Sequence, residues 1–79
     1  MKEVIDFLEK NGFVKSKSLL DTFYVDGNFI EIRNRQYGEG QYRVYIEKQG
    51  GSMYSTDLNI YWLIGVLTYY NLIEKDYKK

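Results

Sequence analysis

The side chains best suited to binding chemistry in this sequence are three arginines, Arg33, Arg35 and Arg43, interleaved with Tyr24, Phe29 and Tyr45. A guanidinium is a planar fork of donors that matches a carboxylate or a phosphate, and it stacks on aromatic rings. Aromatic residues and arginine are also the types enriched where proteins dock on one another. The same rings could stack against single-stranded bases. Two glycine-bearing segments form a second group: Tyr37 beside Gly38 and Gly40, and Met53-Tyr54 after Gly50-Gly51. Backbone N–H groups of glycine turns can cradle a phosphate. Neither segment has the strand–glycines–helix layout of a phosphate-binding loop, so turn formation is the simpler use of these glycines. The candidate binding face is therefore Tyr24, Phe29, Arg33, Arg35, Arg43 and Tyr45, and the candidate binding loops carry Tyr37, Met53 and Tyr54.

Catalysis has less to work with. The chain contains no His and no Cys. That excludes a Ser-His-Asp triad, a His-activated nucleophile, a thiolate nucleophile, a disulfide and the commonest zinc ligands. Asp21, expected beside Ile32, is a lone acid, whereas acid–base work with carboxylates needs a second group in a different environment. Glu3, Asp6 and Glu9 read as the solvated face of a helix, well placed for its N-terminal charge. No catalytic, cofactor-binding or metal-ligating residue is assigned, no cofactor is implied, and a non-enzyme is expected.

The elements that must position these residues follow from periodicity. Residues 2–11 read as a helix with Val4, Ile5 and Leu8 on one face. Asn11-Gly12 stops it, with Gly12 in the left-handed position and Phe13 packing back on Leu8 as in a Schellman cap. Residues 13–18 read as a connector with a short extended piece at Phe13-Val14. Thr22–Val25 and Asn28–Arg33 are rich in strand formers, and Asp26-Gly27 between them is a favoured two-residue hairpin turn. Pairing Val25 with Asn28 sets Phe23 opposite Ile30 and Asp21 opposite Ile32, which keeps the aliphatic side chains on one face.

A third strand is predicted over residues 41–47, with Ile32 paired to Val44 and Ile30 to Ile46. Residues 49–56 read as a loop. A helix follows over 57–71, with Ser55, Thr56 or Asp57 as its N-cap. This helix is apolar around its whole circumference, so it needs cover on more than one side. The tail, 74–79, is charged and expected to fray. The predicted fold is a single α+β domain over 1–79: helix, three-stranded antiparallel meander, helix, with both helices on one face of the sheet.

In that register the outward face displays the binding candidates together with Glu31 and Glu47, and Arg33 stands directly opposite Arg43. Like charges so placed are unfavourable unless a bound anion compensates. The plainer reading is that Glu31 and Glu47 neutralise the arginines, as on the wet side of many open antiparallel sheets.

Composition narrows the function classes. Seventy-nine residues with nine Tyr, four Phe and one Trp make one small aromatic-rich domain. Eleven basic and eleven acidic side chains balance, which places nucleic acid second to protein as a partner. The start, Met1 to Asp6, does not read as a signal peptide, and 60–73 is too short for a bilayer, so no membrane partner is expected. A cytoplasmic location follows, the host cell cytoplasm if the protein is viral. Ala and Pro are absent while Lys, Ile, Tyr, Asn and Phe abound, a usage that points to a low-GC genome such as that of a virus, phage or mobile element.

The order helix, three strands, helix resembles the double-stranded RNA-binding domain over most of the chain. That family reads RNA with a Gly-Pro-x-x-His type loop between its first two strands and a lysine cluster opening its last helix. Here those positions hold Asp26-Gly27 and Ser55-Thr56-Asp57-Leu58-Asn59. The resemblance therefore implies an architecture and not the RNA contacts.

The expectation is a non-enzymatic protein-binding module. A small viral or mobile-element inhibitor of the anti-defence type, an anti-CRISPR protein for example, is one concrete version, acting by steric occlusion of a host protein. The alternative is a single-stranded nucleic-acid-binding domain using the same aromatic and arginine face. Surplus apolar surface on the last helix, from Ile60, Tyr61, Ile64, Tyr70 and Leu72, leaves room for a homodimer through that helix.

Overall fold

The first helix, α1, spans Lys2–Lys10 in a computed structural model that describes residues 2–34 and 40–73. Val4 and Leu8, one turn apart, are its buried face. Its end is the expected Schellman cap. Gly12 takes a φ of 90°, its N–H reaches the Glu9 carbonyl, and the Phe13 N–H reaches that of Leu8 at 3.0 Å. Phe13 is thereby delivered to the core, 3% exposed. Arg35 and Tyr37 from the candidate sets, and the tail 74–79, lie outside the described residues.

The sheet has five antiparallel strands in sequence order, and the expected three-stranded meander is corrected accordingly. They are β1 (Val14–Lys15), β2 (Thr22–Val25), β3 (Asn28–Arg33), β4 (Gln41–Ile46) and β5 (Gly51–Tyr54). Two segments read as connector and loop supply the added strands. Val14 and Lys15 pair with Tyr24 and Phe23, and Gly51 to Tyr54 pair with Ile46 back to Arg43. β5 is possible because Gly50 adopts a φ of 70° and donates its N–H to the Ile46 carbonyl at 3.0 Å, folding residues 47–50 into a tight return. With five strands the likeness to the double-stranded RNA-binding domain no longer holds.

The β2–β3 hairpin has the expected register, Val25 with Asn28 and Phe23 with Ile30. Asp26 and Gly27 both have positive φ, 48° and 83°, as a type I′ turn requires. The turn is clipped to the end of β4 by Asn28, which is 8% exposed. Its amide donates to the Val25 and Asp26 carbonyls, and its side-chain oxygen accepts the Glu47 N–H at 2.9 Å.

The β3–β4 register differs from expectation by two residues. Ile30 pairs with Val44, Ile32 with Tyr42, Phe29 with Tyr45 and Glu31 with Arg43. A shift of two preserves the pleat, so the aliphatic residues stay on the inner face in either register. Cross-strand chemistry distinguishes the two. The observed pairing brings together opposite charges and two aromatic rings, where the expected one set Arg33 against Arg43.

The second helix, α2, spans Ile60–Tyr69 and is shorter than expected. Its N-cap is Asn59, whose side-chain oxygen accepts the Tyr61 and Trp62 N–H groups. The expected caps Ser55, Thr56 and Asp57 lie two to four residues ahead of it, and the Ser55 hydroxyl instead accepts the Tyr42 N–H at 2.8 Å and donates to the Asp57 carbonyl. Asn71, φ 61°, closes the far end with the Asn71 N–H to Thr68 and the Leu72 N–H to Leu67.

One apolar cluster joins Val4 and Leu8 of α1, Leu63 and Leu67 of α2, and the inward row Phe23, Ile30, Ile32, Tyr42, Val44 and Ile46. Tyr42 is fully buried, lies parallel to Trp62 at 6.4 Å between centroids, and points its hydroxyl at the Leu58 carbonyl. Burial, reinforced by the Asp57 and Glu3 carboxylates, raises the pKa of this phenol above its ordinary 10.0. Among the described residues no helix is long and apolar enough to cross a membrane.

Candidate functional site

The helices leave the other face of the sheet open, and strand alternation decides what it carries. Tyr24 of β2, Phe29, Glu31 and Arg33 of β3, Arg43 and Tyr45 of β4, and Ser52 and Tyr54 of β5 all fall on it. Five of the six residues of the candidate binding face thus share one surface, Arg35 being outside the described residues.

Arg43 is the hub. Its Nε donates to Ser52 Oγ at 3.1 Å and its Nη1 lies 3.5 Å from Glu31 Oε1. The guanidinium carbon stands 5.0 Å from the centre of the Phe29 ring, which itself stacks on Tyr45 at 5.0 Å and 14°. About two thirds of both the Arg43 and the Glu31 side chains are shielded from solvent, at 33% and 34% exposed. An ion pair so shielded, with its cation also held by a hydroxyl and a ring, is more rigid than an isolated surface pair.

Arg33 forms a second, smaller cluster. Its guanidinium sits 5.6 Å from the Tyr54 ring centre and 3.5 Å from Gln41 Oε1. The expected Arg33–Arg43 opposition is absent, since Arg33 faces Gln41 and Arg43 faces Glu31. No bound anion is needed to reconcile them. Glu31 performs the neutralisation that the plainer reading assigned to it. Glu47 stands elsewhere, its carboxylate packed against Gly27 so closely that a Cβ there would collide with it.

The candidate loops resolve differently. Met53 and Tyr54 belong to β5 and not to a loop. Met53 pairs with Val44 and packs on the core, whereas Tyr54 faces outward and is 51% exposed. Sequence reasoning missed Ser52 as a support for Arg43. Alternation along Ser52-Met53-Tyr54 would have found it, had the glycines before it not suggested a loop. Tyr24 at 47% and Val14 at 53% extend the exposed surface toward β1.

Asp21 takes a positive φ of 52°, and its backbone carbonyl accepts the Ile32 N–H at 2.9 Å. Its role visible here is to hold the hairpin. Among the described residues no group of three or more acidic side chains is placed to hold a metal ion. Comparison of the chain with protein-family models, curated proteins and solved structures finds no match.

Proposed function

We propose that this protein is a protein-binding module that docks through the open sheet face. The observation that carries the reading is the linked array Glu31–Arg43–Phe29–Tyr45 with Arg33–Tyr54 beside it. Rigid aromatic and arginine side chains lose little freedom on binding, and they are the usual anchors of protein interfaces. Their held geometry leaves the rings of Tyr24 and Tyr54 as half-exposed contacts at either side. A face of this kind could act by steric occlusion, as a small inhibitor of a host protein would.

Single-stranded nucleic acid is the less well supported occupant. The Phe29 ring already engages Tyr45 and Arg43, and the Arg43 guanidinium already engages Glu31 and Ser52. A stacking platform needs a free ring face, and a phosphate contact needs a free cation.

Affinity capture from a lysate tests the proposal with three baits: wild type, Tyr24→Glu/Tyr54→Glu, and Lys10→Glu on α1 as a control remote from the sheet face. The expected result is a protein retained by wild type and Lys10→Glu and lost by the double variant. Retention by all three baits would refute docking through this face. Fluorescence anisotropy with a labelled single-stranded oligonucleotide in dilute buffer covers the other occupant, for which binding must weaken steeply with added salt.

A further inference from the structure

α2 buries Leu63 and Leu67 and turns Tyr61, Gly65 and Tyr69 outward at intervals of four residues. Tyr61 is 78% and Tyr69 77% exposed. Ile60–Tyr69 contains no charged side chain, although the outer face of a helix on a small domain ordinarily carries several. Gly65 sits in mid-helix, where glycine is the poorest helix former after proline. A Cβ built on it would meet no atom of the described residues within 4 Å. Among the described residues nothing else accounts for a glycine at that position. A close neighbour from outside the chain would, because a missing side chain lets a second helix approach to about 8 Å, the near end of ordinary helix packing.

We propose that α2 is the seam of a two-fold symmetric homodimer, in which a second copy lays its own α2 antiparallel across Gly65. The pattern itself selects the occupant. Tyr61 and Tyr69 stand on either side of Gly65, each about 6 Å away along the helix axis. A two-fold axis at Gly65 sets Tyr61 against Tyr69 of the second copy, and the reverse, so the stripe is complementary to itself. Tyr69 is steadied for this role by its edge-to-face contact with Tyr70, 4.8 Å between centroids at 86°. A charged partner would find no counter-charge along α2, whereas an identical uncharged stripe needs none.

Sedimentation equilibrium of the full chain over a roughly hundred-fold range of concentration tests the seam. Wild type is expected to approach twice the 9.5 kDa chain mass at the upper end. Gly65→Gln should weaken dimerisation at least about tenfold while far-UV circular dichroism shows the helix retained, glutamine being the better helix former. Tyr54→Glu, on the opposite side of the molecule, should leave the dimer constant unchanged. Three results would overturn the proposal: wild type at the single-chain mass throughout, Gly65→Gln dimerising as well as wild type, or loss of the dimer in Tyr54→Glu. The last would move the seam to the open sheet face.

Discussion

Along β3, Ile30 and Ile32 are buried among the helices, while Glu31 and Arg33, each one residue away, stand on the opposite side beside Arg43 and Tyr54. The inner row is held by volume and exclusion of water, forces with little direction. The outer row is held by a few specific pairings between charges, a hydroxyl and rings. The inner row tolerates a slide of two residues between β3 and β4, because the pleat repeats every two. The outer row does not, since the same slide would replace Glu31–Arg43 with Arg33–Arg43. In this sheet the core sets which way each side chain faces, and the polar side sets which residues meet.

The contrast predicts unequal costs for damage to the two faces. Phe23→Ala removes a fully buried ring from the inner row and is expected to cost about 3–5 kcal/mol. Urea denaturation measures it, and a loss no larger than that from a surface substitution would show that the inner row is not the main support.

On the outer side, Arg43→Ala and Glu31→Ala should each cost up to about 1 kcal/mol, with a positive coupling between them in a double-mutant cycle. Glu31→Arg recreates the like-charge opposition and should cost more than Glu31→Ala. If the two Glu31 substitutions destabilise equally, charge does not select the register and the contrast between the faces fails.

The smallest effect is one of pH. The Tyr42 phenol holds its proton more tightly folded than unfolded, chiefly through burial. Unfolded chains release that proton near pH 10.0, so stability present below that value declines as pH rises through the higher folded value. Tyr42→Phe is expected to remove this part of the alkaline decline at little cost near neutrality, because the hydroxyl contributes only a long 3.4 Å bond. Urea midpoints measured at about pH 8 and about pH 11 in both proteins give the comparison. Parallel curves for the two would show that this proton is not linked to folding.

What could be read from the sequence divides along the same line. Asp26-Gly27 has its own turn geometry, so the β2–β3 register was legible from two residues and their neighbours. Gly12 with Phe13 was legible for the same reason. The β3–β4 connection includes no such turn pair to pin the pairing, and alternation alone admits both registers. The signal that decides it was present as the Arg33–Arg43 conflict, which pointed to a wrong register more directly than to a bound anion. β5 was concealed because Gly50 and Gly51 break strand propensity, and its order comes from pairing with β4. The N-cap was concealed because Ser, Thr, Asp and Asn all cap helices well and residues 55, 56, 57 and 59 are of these types, while the buried Ser55 is tied to the sheet through the Tyr42 N–H. The outer-face residues of β2 to β4 were legible from parity, apart from Glu47. Ser52 and Tyr54 were hidden with β5, and the contacts between the face's members were hidden because they depend on register.

The sheet's two rims are both brief: β1 is two residues long, and β5 is four and opens on Gly51. An incoming extended chain would find only a short template of unpaired backbone groups at either rim, so lateral accretion into fibrils has little to start from. Any strand added there would therefore gain few ladder hydrogen bonds, and the sheet ends where its pairing partners run out.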